Sequence, residues 1–144
     1  MAKRILVPID ADERSEAIVP VLRALAQSGG ATVRLLRVFP VPSHVGGEYG
    51  RVIAYADQEM ARLTAQGLDE LDRIQALLGD IPVEAIVRFG DTAEEIQHEA
   101  EAFDADLIAL TGDRAGRVRR AIAPGVADRV VEKTDVPTLV LHAA

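Results

Sequence analysis

Apolar and polar positions follow one another along this chain in two rhythms. Five short runs rich in Val, Ile and Leu (Ile5–Ile9, Val33–Val38, Val83–Val87, Leu107–Leu110 and Thr138–Leu141) have the length and composition of strands. Between them the apolar residues recur every three or four positions, as on one face of a helix. In Ser15–Gln27, Ile18, Val21, Leu22 and Leu25 share a face, and Gly29-Gly30 supplies a stop. From about Arg51 to Leu78 the stripe is Ile53, Ala56, Met60, Leu63, Leu71, Ile74 and Leu78. Thr92–Phe103 opens with Thr92 and, three residues on, Glu95, the arrangement of a capping box. A last helix is expected from about Gly125 to Lys133.

Strands alternating with helices predict an α/β fold: a parallel sheet with helices on both faces, joined by right-handed crossovers. Ile5–Ile9 and Leu107–Leu110 are apolar throughout, as strands buried on both faces are. Val83–Val87 is opened by Pro82, interrupted by Glu84 and followed by Arg88, and so reads as an edge. Thr138–Leu141 is apolar, terminal and carries no charge, which is an association hazard for a bare edge. Antiparallel pairing with the same strand of a second copy closes that edge, so a homodimer through Thr138–Leu141 is expected. The one long irregular stretch, Phe39–Gly50, holds Pro40, Pro42, Gly46, Gly47 and Gly50. It leaves the carboxyl end of the second strand, where sheets of this kind bind ligands, and is expected to be a mobile lid.

Composition narrows the function. The chain has 144 residues, the size of one domain, here 1–144. It contains no cysteine, which removes disulfides, thiolate metal sites and a cysteine nucleophile together. A formal charge of −7, with only three Phe, two Tyr and no Trp, argues against nucleic-acid and anionic-membrane partners. No apolar run approaches a membrane span, and Met1-Ala2-Lys3-Arg4 leads straight into the first strand, so the expected address is the cytoplasm.

Two places could carry chemistry. Asp10 follows the first strand at the carboxyl end of the sheet; it is a ligand carboxylate or, with Asp12 or Ser15, a cap for the first helix, and pattern leaves both open. After the fourth strand comes Thr111-Gly112-Asp113-Arg114-Ala115-Gly116-Arg117-Val118-Arg119-Arg120. Its glycines would let backbone amides approach a phosphate at the head of the next helix, although a solvated basic turn explains the arginines more simply. It is not a Walker loop, since no Gly-Lys-Ser/Thr is present. His44, His98 and His142 share no ligand spacing, which argues against a metal site. Glu94, Glu95, Glu99 and Glu101 read as the wet face of the third helix. No nucleophile elbow appears.

Several of these segments together resemble universal stress proteins: Ile5-Leu6-Val7-Pro8-Ile9-Asp10 with Ser15, then Gly90-Asp91-Thr92-Ala93-Glu94-Glu95-Ile96, Ala105–Leu110, Val126-Ala127-Asp128-Arg129-Val130 and Val136–Leu141. The resemblance spans the whole chain. It implies a five-stranded parallel sheet of order 3-2-1-4-5, a homodimer, and a regulatory, ligand-binding role in stress response without catalysis. Members that bind ATP carry two spaced glycines and, further on, Gly-Ser or Gly-Thr. Aligned without gaps from Asp106 to Leu141, this chain has Thr111, Arg114 and Pro124 at the glycine positions and Gly125 at the hydroxyl position. A shift of one residue recovers Gly112 and Gly125 but puts Ala115 and Val126 at the others. A Cβ keeps the backbone from a phosphate, and Pro124 deletes an amide donor. The adenosine end, Pro8, Asp10 and Val38, matches the family.

The resemblance therefore implies ATP or another adenine nucleotide held weakly or in altered fashion. The residues that would hold it are Pro8, Asp10, Val38, Leu110, Thr111, Gly112, Arg114, Gly125 and Val126, with Arg114 offering an anion contact. The alternatives are a partner-interaction dimer that binds no nucleotide and, behind it, an α/β phosphotransfer or hydrolytic enzyme.

Overall fold

The computed structural model describes residues 2–10, 13–42, 49–113 and 125–143. Its elements in chain order are β1 (Arg4–Pro8), a 3-10 turn (Glu13–Ile18), α1 (Val19–Gly29), β2 (Thr32–Phe39), α2 (Tyr49–Leu78), β3 (Val83–Phe89), α3 (Thr92–Phe103), β4 (Leu107–Asp113), α4 (Val126–Lys133) and β5 (Thr138–Ala143). The strands form one sheet of order β3-β2-β1-β4-β5. All four pairings are parallel. This is the architecture and strand order expected from the sequence, with β1 in the middle and the Pro82-opened strand on an edge.

Strand alternation divides the core into two layers. Ile5, Val7, Val33 and Leu35 point to one face, where Leu22 and Ala26 of α1 and Leu71, Ile74 and Leu78 of α2 cover them. Leu6, Leu36, Val38, Ile108 and Leu110 point to the other, beneath Ala93, Ile96, Ala100 and Phe103 of α3 and Val130 of α4. α2 lies so close to the sheet that a Cβ on Gly67 would come within 2.9 Å of Phe39 and Val87. Side-chain bonds also fasten the amino edge: Asp106, ahead of β4, accepts from the backbone N–H groups of Lys3 and Arg4, at 2.8 and 3.1 Å.

The helix ends differ from the sequence expectation in two places. The segment from Ser15 begins as a 3-10 turn, and α1 proper starts at Val19 with Pro20 in its first turn, where a missing N–H costs nothing. No side chain caps it, so neither Asp10 nor Ser15 is its N-cap, and Asp12 lies outside the described residues. Gly30 ends α1 at φ 64, the left-handed conformation that glycine adopts at no cost. α3 is capped by Asp91 and not by Thr92: the Asp91 side chain accepts from Glu94 N–H, and Glu95 turns away toward the sheet. Of the presumed lid, Phe39 belongs to β2 and Tyr49 already to α2, while residues 43–48 lie outside the described residues.

Candidate functional site

β1 stops short of its neighbours β2 and β4 at the carboxyl edge of the sheet, and on the side covered by α3 and α4 a cleft of about 170 Å³ opens there. Pro8, Ile9 and Asp10 line it from β1; Leu36, Arg37 and Val38 from β2; Leu110 and Thr111 from β4; Thr92 and Ile96 from α3; Val126 from α4. The depression is mainly apolar, with polar groups at its margin, and is smaller than the roughly 300–1,000 Å³ of drug-sized sites. A larger hollow of about 380 Å³ lies at the opposite end, between the C-termini of α1 and α2, and contains none of the expected site residues.

Six of the nine expected residues meet in the cleft: Pro8, Asp10, Val38, Leu110, Thr111 and Val126. Gly112 and Gly125 are not on its walls, and Arg114, like Pro124, lies outside the described residues. Thr111 and Gly112 belong to β4, which runs on to Asp113, and not to a loop after the strand. Gly112 has a packing reason to be glycine. A Cβ there would meet Val140 at 2.9 Å and the His142 ring at 3.0 Å. Gly125 is the N-cap of α4 in extended backbone, and a Cβ there would meet only the Asp128 carboxylate, at 3.9 Å, so neither conformation nor crowding demands a glycine.

Ile9 N–H donates to Leu36 O at 2.8 Å, which holds the end of β1 against β2. Ser15 Oγ donates to Asp10 Oδ1 at 2.7 Å and accepts from Asp10 N–H at 3.3 Å. Ser15 is only 2% exposed, so its hydroxyl braces the Asp10 backbone and is out of a substrate's reach. Asp10 itself is exposed on the cleft wall.

On the α3 side, Asp91 is joined to α4 by Arg129, whose Nη2 donates to both carboxylate oxygens at 2.7 and 2.6 Å. That hydrogen bond, with a second from Glu94 N–H, holds the Asp91 carboxyl below its ordinary pKa. Of the four α3 glutamates expected on a wet face, Glu94 and Glu101 are exposed, whereas Glu95 and Glu99 turn beneath the helix. Glu99 is 3% exposed and receives Arg34 at 3.2 Å and Arg88 at 3.4 Å. Arg88 also binds Glu95 at 2.9 Å, which lowers the Glu95 pKa and raises that of Arg88. Arg34 further pairs with Glu84 and lies 4.2 Å over the Phe103 ring.

Sequence reasoning missed Ile9, Leu36, Arg37, Thr92 and Ile96 as cleft residues and the two arginine contacts of the buried Glu99. The signal was there: Glu95 and Glu99 are four residues apart and flank Ile96, and Arg34 and Leu36 alternate onto one strand face. Among the described residues no cluster of three His, Asp or Glu side chains could hold a metal ion, and no helix is long and apolar enough to cross a membrane.

The model of the Universal stress protein family matches residues 1–142. The chain belongs to the universal stress protein family. Solved structures share the fold of this universal stress protein along almost all of its length. The hypothetical protein MJ0577 superposes with a TM-score of 0.77 at 24% identity, over 99% of this chain and 96% of that one. A universal stress protein in complex with cAMP gives 0.70 at 17% identity, over 99% and 98%. The universal stress protein from Archaeoglobus fulgidus in complex with dAMP gives 0.58 at 17% identity, over 96% of each. No curated protein sequence matches this universal stress protein.

Proposed function

We propose that this universal stress protein is a regulatory, ligand-binding protein of the stress response whose cleft takes an adenine nucleotide, and that it is not an enzyme. The observation that carries the reading is the meeting of Pro8, Asp10, Val38, Leu110, Thr111 and Val126 around one depression at the carboxyl edge. Two proteins of the same fold, solved with cAMP and with dAMP, support it. Both of those ligands are mononucleotides, so the mononucleotide is the preferred class. ATP is bound weakly or not at all, because Thr111, Arg114 and Pro124 occupy the positions where ATP-binding members have glycine. Calorimetric titration with AMP, cAMP and ATP tests this. Binding of AMP or cAMP with ATP weaker is expected; no heat from any of them, or micromolar ATP binding, overturns it.

A second reading is a partner-interaction dimer with an empty cleft, favoured by a volume below that of ordinary small-molecule sites. Native mass spectrometry of freshly purified protein separates the two, since a co-purifying nucleotide mass excludes the second. In either case residues 1–144 act as one domain in the cytoplasm and assemble as a homodimer on β5. Leu139 on that edge is 38% exposed, whereas Val140 is packed over Gly112, so Leu139→Lys is the cleaner probe. Monomers by sedimentation are expected, and an unchanged assembly state removes the β5 interface from the proposal.

A further inference from the structure

The Asp91–Arg129 ion pair joins the two helices that bound one side of the cleft. Asp91 immediately precedes Thr92, and Arg129 lies less than one helical turn after Val126; both Thr92 and Val126 line the cleft. The Asp91 carboxylate has two tasks. It caps α3 by accepting from Glu94 N–H at 3.1 Å, and it takes both hydrogen bonds from Arg129. Because the cap anchors Asp91 to α3, the arginine comes to the carboxylate and not the reverse.

Glu94 stands in the first turn of α3 beside the pair, and Lys133, in the last turn of α4, lies near enough to help Arg129 hold the Asp91 carboxyl below its ordinary pKa. Arg88, the nearest basic side chain on the strand leading into α3, is engaged beneath the helix by Glu95 and Glu99. An Asp91 carboxylate left without Arg129 at the start of α3 would add a direct Coulombic cost for an anionic ligand in the cleft.

We infer that Arg129 is a specificity-determining residue of this cleft: by cancelling the charge of Asp91 and fixing the spacing of α3 and α4, it admits a phosphate-bearing adenine ligand where a bare Asp91 would favour the uncharged nucleoside. The inference rests on the reading of the cleft as an adenine-nucleotide site. Arg129 acts through Asp91 and is a positioning residue.

The test is calorimetric titration of AMP and of adenosine, at low ionic strength, into the wild type, Arg129→Ala, Asp91→Asn and the double variant. Arg129→Ala should weaken AMP by roughly fivefold and leave adenosine unchanged. Asp91→Asn keeps an acceptor for the α3 cap and should strengthen AMP, and the double variant should return AMP toward the wild-type value. Equal losses of AMP and adenosine in Arg129→Ala, unrestored in the double variant, would reduce the pair to a structural brace. Should Arg129→Ala fail to fold, Asp91→Asn decides alone: an unchanged ratio of AMP to adenosine affinity overturns the inference. If the wild type binds neither ligand, the reading of the cleft falls and this inference with it. If it binds both but the ratio never moves, only the inference falls.

Discussion

The two faces of the sheet solve the same packing problem differently. Under α1 and α2 the fully buried layer is aliphatic, with Ile5, Val7, Leu22, Val33, Leu35, Leu71, Ile74 and Leu78 at 1% exposure or less, and the strand–helix pair Arg37–Glu70 lies at its margin. Under α3 and α4 the aliphatic layer is thinner. It includes Ala93, Ala100 and Ala105, and a buried carboxylate, Glu99, sits between two arginines of the strands. The cleft opens on that second face. Burial of apolar surface is strong but indifferent to orientation, whereas a charged bond network fixes where a helix end lies. One face supplies stability, and the other positions the helix starts that bound the site.

The largest effect is expected on the aliphatic face. Leu22→Ala should cost about 3 kcal/mol in urea unfolding, because the rigid helix–sheet contact leaves a cavity that cannot collapse. A loss well below that would mean α1 is able to settle onto the sheet, and the contrast between the faces would weaken. On the charged face, Glu99→Ala should cost roughly 2–3 kcal/mol, less than for a fully buried pair because Arg34 and Arg88 keep some water. Replacing Arg34, Glu99 and Arg88 together by Met, Leu and Met should be close to neutral, since no charge is then left stranded. If the triple variant is as unstable as the single one, the network holds more than its own charges.

A smaller effect is expected where β4 and β5 meet. Gly112→Ala forces a Cβ against Val140 and His142 and should cost about 1–2 kcal/mol by overpacking, read as a lowered urea midpoint. An unchanged midpoint would show that this edge of the sheet yields.

The smallest effect concerns pH. Arg88 depresses the Glu95 pKa in the folded protein, so the pair stabilises above the unfolded carboxylate pKa and that contribution is lost as pH falls through the depressed value. Glu95→Gln should therefore lower stability at pH 7 by roughly 1 kcal/mol and flatten the fall in stability below about pH 4. A variant with an acid limb as steep as the wild type's would place the sensitivity in other carboxylates.

The sequence by itself determined the elements, their order and which side chains of each enter the core. Hydrophobic periodicity is local: the steps from Leu71 to Ile74 to Leu78 orient α2 whatever lies beneath it, and the uninterrupted Ile5–Ile9 run marks a central strand. The carboxyl-edge position of Asp10 and Val38 followed in turn from the parallel topology. Only the tertiary structure decided which polar residues face protein. Glu95 and Glu99 resemble Glu94 and Glu101 along the chain, and they turn inward because β2 and β3 bring Arg34 and Arg88 beneath α3. Asp91 displaced Thr92 as the cap, with Arg129 reaching it from α4 thirty-eight residues away. Gly112, which the sequence suggested for a phosphate, lies where a Cβ would crowd Val140 and His142 of the neighbouring strand. Apolar residues must leave water wherever the chain runs, so their pattern is legible in one dimension. A charge, a cap or a glycine takes its meaning from a partner brought close in space, and that partner is found only after the chain has folded.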